Sequence, residues 1–270
     1  MPLSFEGKRA VVAGGGGTGM GAAAVEILTR LGADVTVLDL RKPTTTGVAF
    51  RATDLGDPVA IDGAIADLPG RIDMLLNAQG ISGAAPGVTG TDVVRVNFLG
   101  IRHLTDRMLP RIAPGGAVAS ISSAGGLGWE RRLREIDELL TTPDLDAGLA
   151  WCETHANDLL ASAMPKAYAF SKQALIVWTM RRAVDAIAAG VRVNCTSPGS
   201  TATGMASDFP EDGVAYMNRP SGRSSTPEEQ AWPLVFLASD AAGYVNGVNL
   251  VVDGGNAAAR TFGLLEASVA

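Results

Sequence analysis

Cysteine, histidine and aromatic residues are all scarce in this chain. Two cysteines, Cys152 and Cys195, and two histidines, His103 and His155, are spread through 270 residues. Two thiols give no disulfide framework, and neither pair has metal-ligand spacing, which argues against a stapled scaffold and against a metal site. The thiols are expected to stay reduced in a cytoplasmic protein. Aromatics supply only 5% of the residues, so Ala, Val, Leu and Ile must fill the core. Basic blocks are missing as well. With 22 Lys+Arg against 28 Asp+Glu, the net charge of −6 argues against nucleic acid or an anionic membrane as partner. No apolar run is long enough to span a bilayer. One stretch imitates a secretory leader: Lys8 and Arg9 precede an uncharged run from Ala10 to Val25. Its middle is Gly14-Gly15-Gly16-Gly17, a poor apolar helix, so a strand, a turn and a helix account for it better.

What is plentiful is apolar and small. Hydrophobic residues make up 47% of the chain and glycines number 33, and the length fits one α/β domain over residues 1–270. Strand-like runs fall at Arg9–Ala13, Asp34–Leu38, Val48–Ala52, Asp73–Asn77, Ala117–Ser122, Val191–Ser197 and Asn249–Asp253. Helical periodicity lies between them, at Gly19–Leu31, Pro58–Leu68, Asp92–Ile112, Tyr168–Ala189 and Pro227–Ala238. Such alternation predicts a parallel sheet of about seven strands with helices on both faces. A segment at about 125–166 breaks the rhythm with two further helical stretches, Trp129–Leu140 and Asp144–Leu160. It reads as an inserted helical pair: a solvated decoration, a subunit interface or a lid.

The first strand runs into Gly14-Gly15-Gly16-Gly17-Thr18-Gly19-Met20-Gly21. The run fits both G-x-G-x-x-G and G-x-x-x-G-x-G. Between a strand and a helix, such a turn offers backbone N–H groups and a helix N-terminus to the pyrophosphate of a dinucleotide. Asp39 ends the second strand, where a carboxylate accepts from both ribose hydroxyls and repels a 2′-phosphate, selecting NAD over NADP. Arg41 is near enough to soften that choice. Asp54, after the third strand, is placed to accept from an adenine amino group or to cap the next helix. Further on, Tyr168-Ala169-Phe170-Ser171-Lys172 puts a phenol and an ammonium one helical turn apart. A cation there favours phenolate, and the phenol can then exchange a proton with an alcohol or ketone.

Taken in order, these motifs resemble the single-domain branch of the short-chain dehydrogenase/reductase family. The likeness runs from Arg9 to Gly255. It takes in the turn of Gly15, Gly19 and Gly21; Asp39; Asn77-Ala78-Gln79-Gly80 after the fourth strand; Asn97; Ile121-Ser122-Ser123; Tyr168 and Lys172; Pro198-Gly199-Ser200-Thr201-Ala202-Thr203; and Val252-Asp253-Gly254-Gly255. The resemblance implies a doubly wound Rossmann-type fold. It also implies hydride transfer between a secondary alcohol or ketone and NAD, without a metal. Tyr168 is then the general acid/base, Lys172 lowers its pKa and holds the nicotinamide ribose, Ser123 steadies the substrate oxygen, and Asn97 positions a water on the proton path. The cofactor is expected along Gly15, Gly19, Met20, Gly21, Asp39, Leu40, Asp54, Leu55, Asn77, Ala78, Gly80, Tyr168, Lys172, Pro198, Gly199, Thr201 and Thr203. The family pattern is departed from in two places: Gly14 stands where Thr is usual, and Ala78-Gln79 alters the fourth-strand turn.

The helical insertion between Ser123 and Tyr168 narrows the resemblance to bacterial 3α-hydroxysteroid dehydrogenase/carbonyl reductases and coniferyl alcohol dehydrogenases. In that branch the insertion covers the usual helix–helix face, which implies an atypical homodimer. The variable segment at about 204–225, with Met205, Phe209, Tyr216 and Met217, suits an apolar cyclic alcohol or ketone, a hydroxysteroid being one candidate. The same four residues would equally serve to pack that segment onto the core. The alternatives are another substrate class within the family (a dihydrodiol, a sugar alcohol, an acyl thioester) and a non-catalytic NAD-sensing regulator.

Overall fold

The computed structural model describes residues 3–265. The chain opens with β1 (Arg9–Ala13), α1 (Met20–Arg30), β2 (Asp34–Asp39), β3 (Ala49–Ala52), α2 (Pro58–Ala66) and β4 (Ile72–Asn77). Then come α3 (Gly90–Val94), α4 (Gly100–Met108), β5 (Ile112–Ile121), α5 (Leu133–Leu140), α6 (Leu145–Thr154) and α7 (Tyr168–Ala186). It closes with β6 (Arg192–Pro198), α8 (Glu211–Asn218), α9 (Pro227–Ala238), β7 (Asn249–Val252) and α10 (Asn256–Thr261). All seven strands join one parallel sheet in the order β3-β2-β1-β4-β5-β6-β7.

The strands at the centre are buried on both sides, which is why apolar residues follow one another without alternation at Ala10–Ala13 and Met74–Leu76. Every residue of β4 and of β6 is buried. Successive side chains of β1 enter opposite layers. Val12 joins Val25 and Leu28 of α1 and Leu234 and Val235 of α9, while Val11 joins Ile61 of α2 and Leu104 of α4. Each such side chain stabilises the fold by about 1.5–3 kcal/mol when fully buried. The helices start where the sequence offers acceptors for their free N–H groups. Asp57 accepts from Val59 and precedes Pro58 at the start of α2, and Thr226 and Glu229 form a reciprocal capping box on α9.

Two expected helices came out differently, and one helix formed that was not expected. The helix expected over Asp92–Ile112 begins at Gly90, set by the Thr89–Asp92 capping box, and passes through a π-helical turn at Arg95–Leu99. It gives way at Ile112, which already belongs to β5. The helix expected over Asp144–Leu160 ends at Thr154, where the Thr154 hydroxyl donates to the Trp151 carbonyl (2.7 Å) and ends the backbone ladder. Within the variable segment, Glu211–Asn218 forms a helix, α8, that periodicity did not reveal.

The inserted pair α5 and α6 lies against the outer side of the π turn and α7. Ile136, Leu139, Leu145 and Cys152 are buried there with Phe98, Leu99, Phe170 and Leu175. Buried Arg102, from α4, fastens the pair by donating to the Leu139 carbonyl (3.3 Å), the Thr142 hydroxyl (3.1 Å) and the Asp144 carbonyl (2.8 Å). Among the described residues, no helix is long and apolar enough to cross a membrane.

Candidate active site

The C-terminal ends of β1, β4, β5 and β6 share one edge of the sheet, and strand order reverses between β1 and β4. A crevice at such a reversal is the natural ligand position of an open α/β sheet. The chain leaves β1 at Gly14, whose φ of +80° is glycine territory. A side chain on Gly14 would press into the backbone of Ala78 and Gln79. The two departures from the family pattern thus face each other: the loop after β4 lies where a threonine at position 14 would stand. Backbone bonds tie the turn instead, Gly14 N–H to the Leu38 carbonyl and Ala78 N–H to the Ala13 carbonyl, both 2.8 Å.

Gly15 closes onto Val12, Val25 and Val37, and Gly21 onto the Gly14 carbonyl, so these glycines bring turn, helix and sheet together. Gly19 is open, with no atom within 4 Å of a side chain placed there. It starts α1 without a side-chain cap and with no acid in the first turn. Free N–H groups, a positive helix end and open space form a cradle that fits a phosphate. Met20 is half-buried and packs toward the core. Asp39 is fixed beside the turn, its Oδ2 accepting from Gly16 N–H (2.8 Å) and its Oδ1 from Arg41 N–H (2.9 Å). A carboxylate has lone pairs left after two such bonds. Leu40 next to it is 70% exposed, an apolar surface at the rim, whereas Leu55 is buried in the core. Exposed Asp54 accepts from Gly56 N–H (2.8 Å), and the helix-capping role weighed for it belongs to Asp57.

Asn77 is fully buried and donates to the Thr105 (3.0 Å) and Ser120 (3.1 Å) hydroxyls, supporting the β4 turn from beneath. Both amide atoms of buried Gln79 lack a hydrogen-bonding partner among the described residues. A side chain on Gly80 would stand 3.3 Å from Asn97 Oδ1 and 3.6 Å from Lys172 Nζ, so those two groups flank it. Asn97 sits in the π turn. Its Oδ1 accepts from Ile81 N–H (2.8 Å), and its Nδ2 donates to the Ile81 carbonyl (2.9 Å) and to Ser171 Oγ (3.3 Å). The side chain is therefore spent on holding the β4 loop to α7, which leaves any water-positioning to its backbone. A π turn in mid-helix often marks a functional position.

Tyr168 and Lys172 begin α7, with the ammonium 5.9 Å from the centre of the phenol ring. Lys172 Nζ donates to the Ile121 carbonyl (2.9 Å), and Ser122 Oγ donates to the Lys172 carbonyl (2.9 Å), which pins the helix start to the end of β5. Ser123 follows in extended conformation, and its hydroxyl hydrogen-bonds Tyr168. Burial pushes the Tyr168 phenol up, and the Ser123 bond works against that rise. Burial also pulls the Lys172 ammonium down to about 8. After β6, Pro198 and Gly199 lead into Thr201 and Thr203. Gly199 packs on the backbone of Asp253, buried Thr201 bridges to Ser225, and Thr203 N–H donates to the Thr201 carbonyl (2.8 Å). Beyond them, the Phe209 ring meets Tyr168 edge-on with centroids 5.6 Å apart, and Ser82 Oγ donates to Asp208 Oδ2 (2.6 Å). Tyr216 and Met217 are held elsewhere, their carbonyls accepting from Asn256 of α10.

Some contributors were not singled out in the sequence. Ser171 lies inside the Tyr-x-x-x-Lys motif, and its hydroxyl donates to the Tyr168 carbonyl (2.7 Å). Ser82 and Asp208 are far apart in the chain, and only the fold joins them. No group of three or more His, Cys, Asp or Glu among the described residues is placed to hold a metal ion.

A doubly wound sheet with an acid–base pair beside a dinucleotide cradle defines a dehydrogenase-like protein. A family model described as enoyl-(acyl carrier protein) reductase matches residues 154–257. The chain is 34% identical to a coniferyl-alcohol dehydrogenase of Pseudomonas sp., over 91% of this chain and 95% of that one. It is 31% identical to the 3-alpha-hydroxysteroid dehydrogenase/carbonyl reductase of Comamonas testosteroni, again over 91% and 95%. The crystal structure of the 3-alpha-hydroxysteroid dehydrogenase of Pseudomonas sp. B-0831, complexed with NADH, aligns with a TM-score of 0.77 at 27% identity, over 94% of this chain and 98% of that one. The chain belongs to the short-chain dehydrogenase/reductase family, and is therefore a nicotinamide-dependent oxidoreductase acting on alcohols.

Proposed function

We propose that the protein interconverts a secondary alcohol and a ketone using NAD(H), with Tyr168 moving the proton. The observation that carries this reading is the Tyr168 phenol, buried, hydrogen-bonded to Ser123 and 5.9 Å from the Lys172 ammonium, beside a cradle that fits a dinucleotide. When bound, the nicotinamide exchanges hydride with the carbinol carbon. The α1 N-terminus and the Gly19 opening hold the pyrophosphate, Asp39 the adenosine ribose, Lys172 the nicotinamide ribose, and the Pro198–Thr203 turn the carboxamide. Asp54, Leu40, Asn77, Ala78 and Gly80 border or support the groove. In ketone reduction, Tyr168 gives its proton to the nascent alkoxide while Ser123 hydrogen-bonds the same oxygen. Burial favours that protonated phenol. In alcohol oxidation, Tyr168 takes the hydroxyl proton, and the Lys172 charge stabilises the phenolate this requires.

The preference for NAD over NADP rests on Asp39, whose carboxylate two N–H donors fix beside the glycine turn, since a negative charge there would repel a 2′-phosphate. Replacing Asp39 by Ser should shift the ratio of NADPH to NADH affinity by at least about tenfold toward NADPH, read by titrating nucleotide fluorescence. An unchanged ratio would remove Asp39 as the selector. The substrate is an apolar cyclic alcohol or ketone, such as a hydroxysteroid. Phe209 beside the phenol supports this, as do the names of the relatives. Turnover with NADH across steroid, aromatic and aliphatic ketones tests it, and preference for an open-chain ketone would overturn it.

Because α5 and α6 cover the outer side of the π turn and α7, the assembly we propose is a homodimer that does not pair through these helices. Light scattering at the mass of a dimer is the expected result. A tetramer that dissociates when Ala169 and Gln173, on the flank of α7, are changed to bulky charged residues would overturn it.

A further inference from the structure

The cavity of about 480 Å³ between the insertion and α7 lies away from the reacting groups. Tyr168 and Lys172 share one face of α7. Phe170, which lines the cavity, sits about 200° round the helix from Tyr168. Two features of this cavity point to a ligand.

The first is unpaired positive charge in a chain whose net charge is −6. Arg132, Arg134 and Lys166 line the cavity together with the carboxylates Glu135 and Asp158. Glu135 is taken by Arg132 at 3.2 Å, while Asp158, which accepts from the N–H of Leu159, keeps its negative charge, so the three cations exceed the two carboxylates by one. Arg134 and Lys166 have no hydrogen-bonded or ion-paired partner among the described residues, Arg134 acting on Glu135 only through space. The second feature is aromatic. The rings of His155, Trp151 and Phe170 stack, with centroids 3.9 Å and 5.6 Å apart and planes within 22° and 16° of parallel. His155 and Phe170 reach the cavity at the two ends of that stack.

A volume of this size holds a small organic molecule. The net positive charge, with Arg134 and Lys166 unpaired, favours an anion through charge-assisted hydrogen bonds, and the aromatic rings of His155 and Phe170 favour a ring beside it. We propose that this cavity is a second binding site, for an aromatic carboxylate, separate from the site of hydride transfer. Its ligand would contact α5 and α7 at once, with Ala169 and Phe170 directly following Tyr168 in the chain.

Calorimetric titration of the NADH-loaded protein with trans-cinnamate tests this, beside the neutral isostere cinnamamide and the double variant Arg134→Gln/Lys166→Gln. The expected result is that cinnamate binds wild type at least about tenfold more tightly than cinnamamide does, and loses at least about tenfold in affinity in the variant. NADH affinity and turnover measured without cinnamate should match wild type in the variant, since neither residue belongs to the reacting site. Equal cinnamate affinity in wild type and variant, equal affinity for cinnamate and cinnamamide, or no binding up to about 10 mM would each overturn the proposal.

Discussion

Replacing Tyr168 by Phe is expected to lower turnover by about 10²- to 10⁴-fold, the usual worth of a positioned acid or base, while NADH affinity stays within about threefold. The substitution removes one oxygen from a ring whose edge-on contact with Phe209 and whose place at the start of α7 do not depend on it. What it removes is the proton itself and the hydrogen bond to Ser123. Stopped-flow turnover and nucleotide fluorescence on the same preparation read the two quantities separately. Full turnover in the variant would assign proton transfer to another group.

Replacing Lys172 by Met should give a second large effect, and one with a pH signature. Turnover falls by about 10²-fold or more, because the phenolate loses its cation. Stability moves the other way at neutral pH. Burial holds the ammonium at about 8 against an ordinary 10.5. Between those values the unfolded chain binds a proton that the folded chain does not, so the Lys172 contribution to stability rises with pH across that window and is most unfavourable below about 8. The full span is about 3 kcal/mol. Methionine removes this cost but leaves the Ile121 carbonyl without its donor, worth about 1–3 kcal/mol. At pH 7 the variant should therefore be at least as stable as wild type, and its advantage should shrink by about 3 kcal/mol by pH 10.5.

The difference between the two proteins is the quantity to read. Cys152 and Cys195, both pushed up to about 12 by burial, stay protonated in the folded chain after the unfolded chain has lost those protons. They draw stability down above about pH 9, and up to about pH 10 to nearly the same extent in both proteins, because the folded thiols stay protonated with or without the Lys172 charge that lowers Cys195. Urea unfolding at pH 7, 8.5 and 10 supplies the comparison. A difference that stays constant with pH would mean that Lys172 does not titrate near 8.

The sheet was legible where buried strands carry consecutive apolar residues, as at Ala10–Ala13 and Met74–Leu76, whereas β6 is buried end to end yet carries Arg192, Asn194, Thr196 and Ser197. The order of motifs around Gly14–Gly21, Asn97, Ser123 and Tyr168 was legible as a family resemblance, and it is the fold that brings them to one end of the sheet. Local competition was not legible. A side-chain hydroxyl at Thr154 ends α6 early, and nothing in a 3.6-residue period announces that. The π turn holding Asn97 looks in sequence like any helical stretch, since one extra residue per turn leaves both flanking patterns intact. Pairs such as Ser82 with Asp208, and Arg102 with the carbonyls of the insertion, are set by tertiary approach, and backbone acceptors have no residue type to read.

The contact between Gly14 and the loop after β4 bears on how this sequence can change over time. Position 14 and positions 78–79 occupy one volume, so they behave as a single inherited character. A threonine arriving alone at 14 meets the backbone of Gln79. A descendant could adopt the common turn only after the neighbouring loop had first moved aside, so the glycine constrains the order in which changes can come.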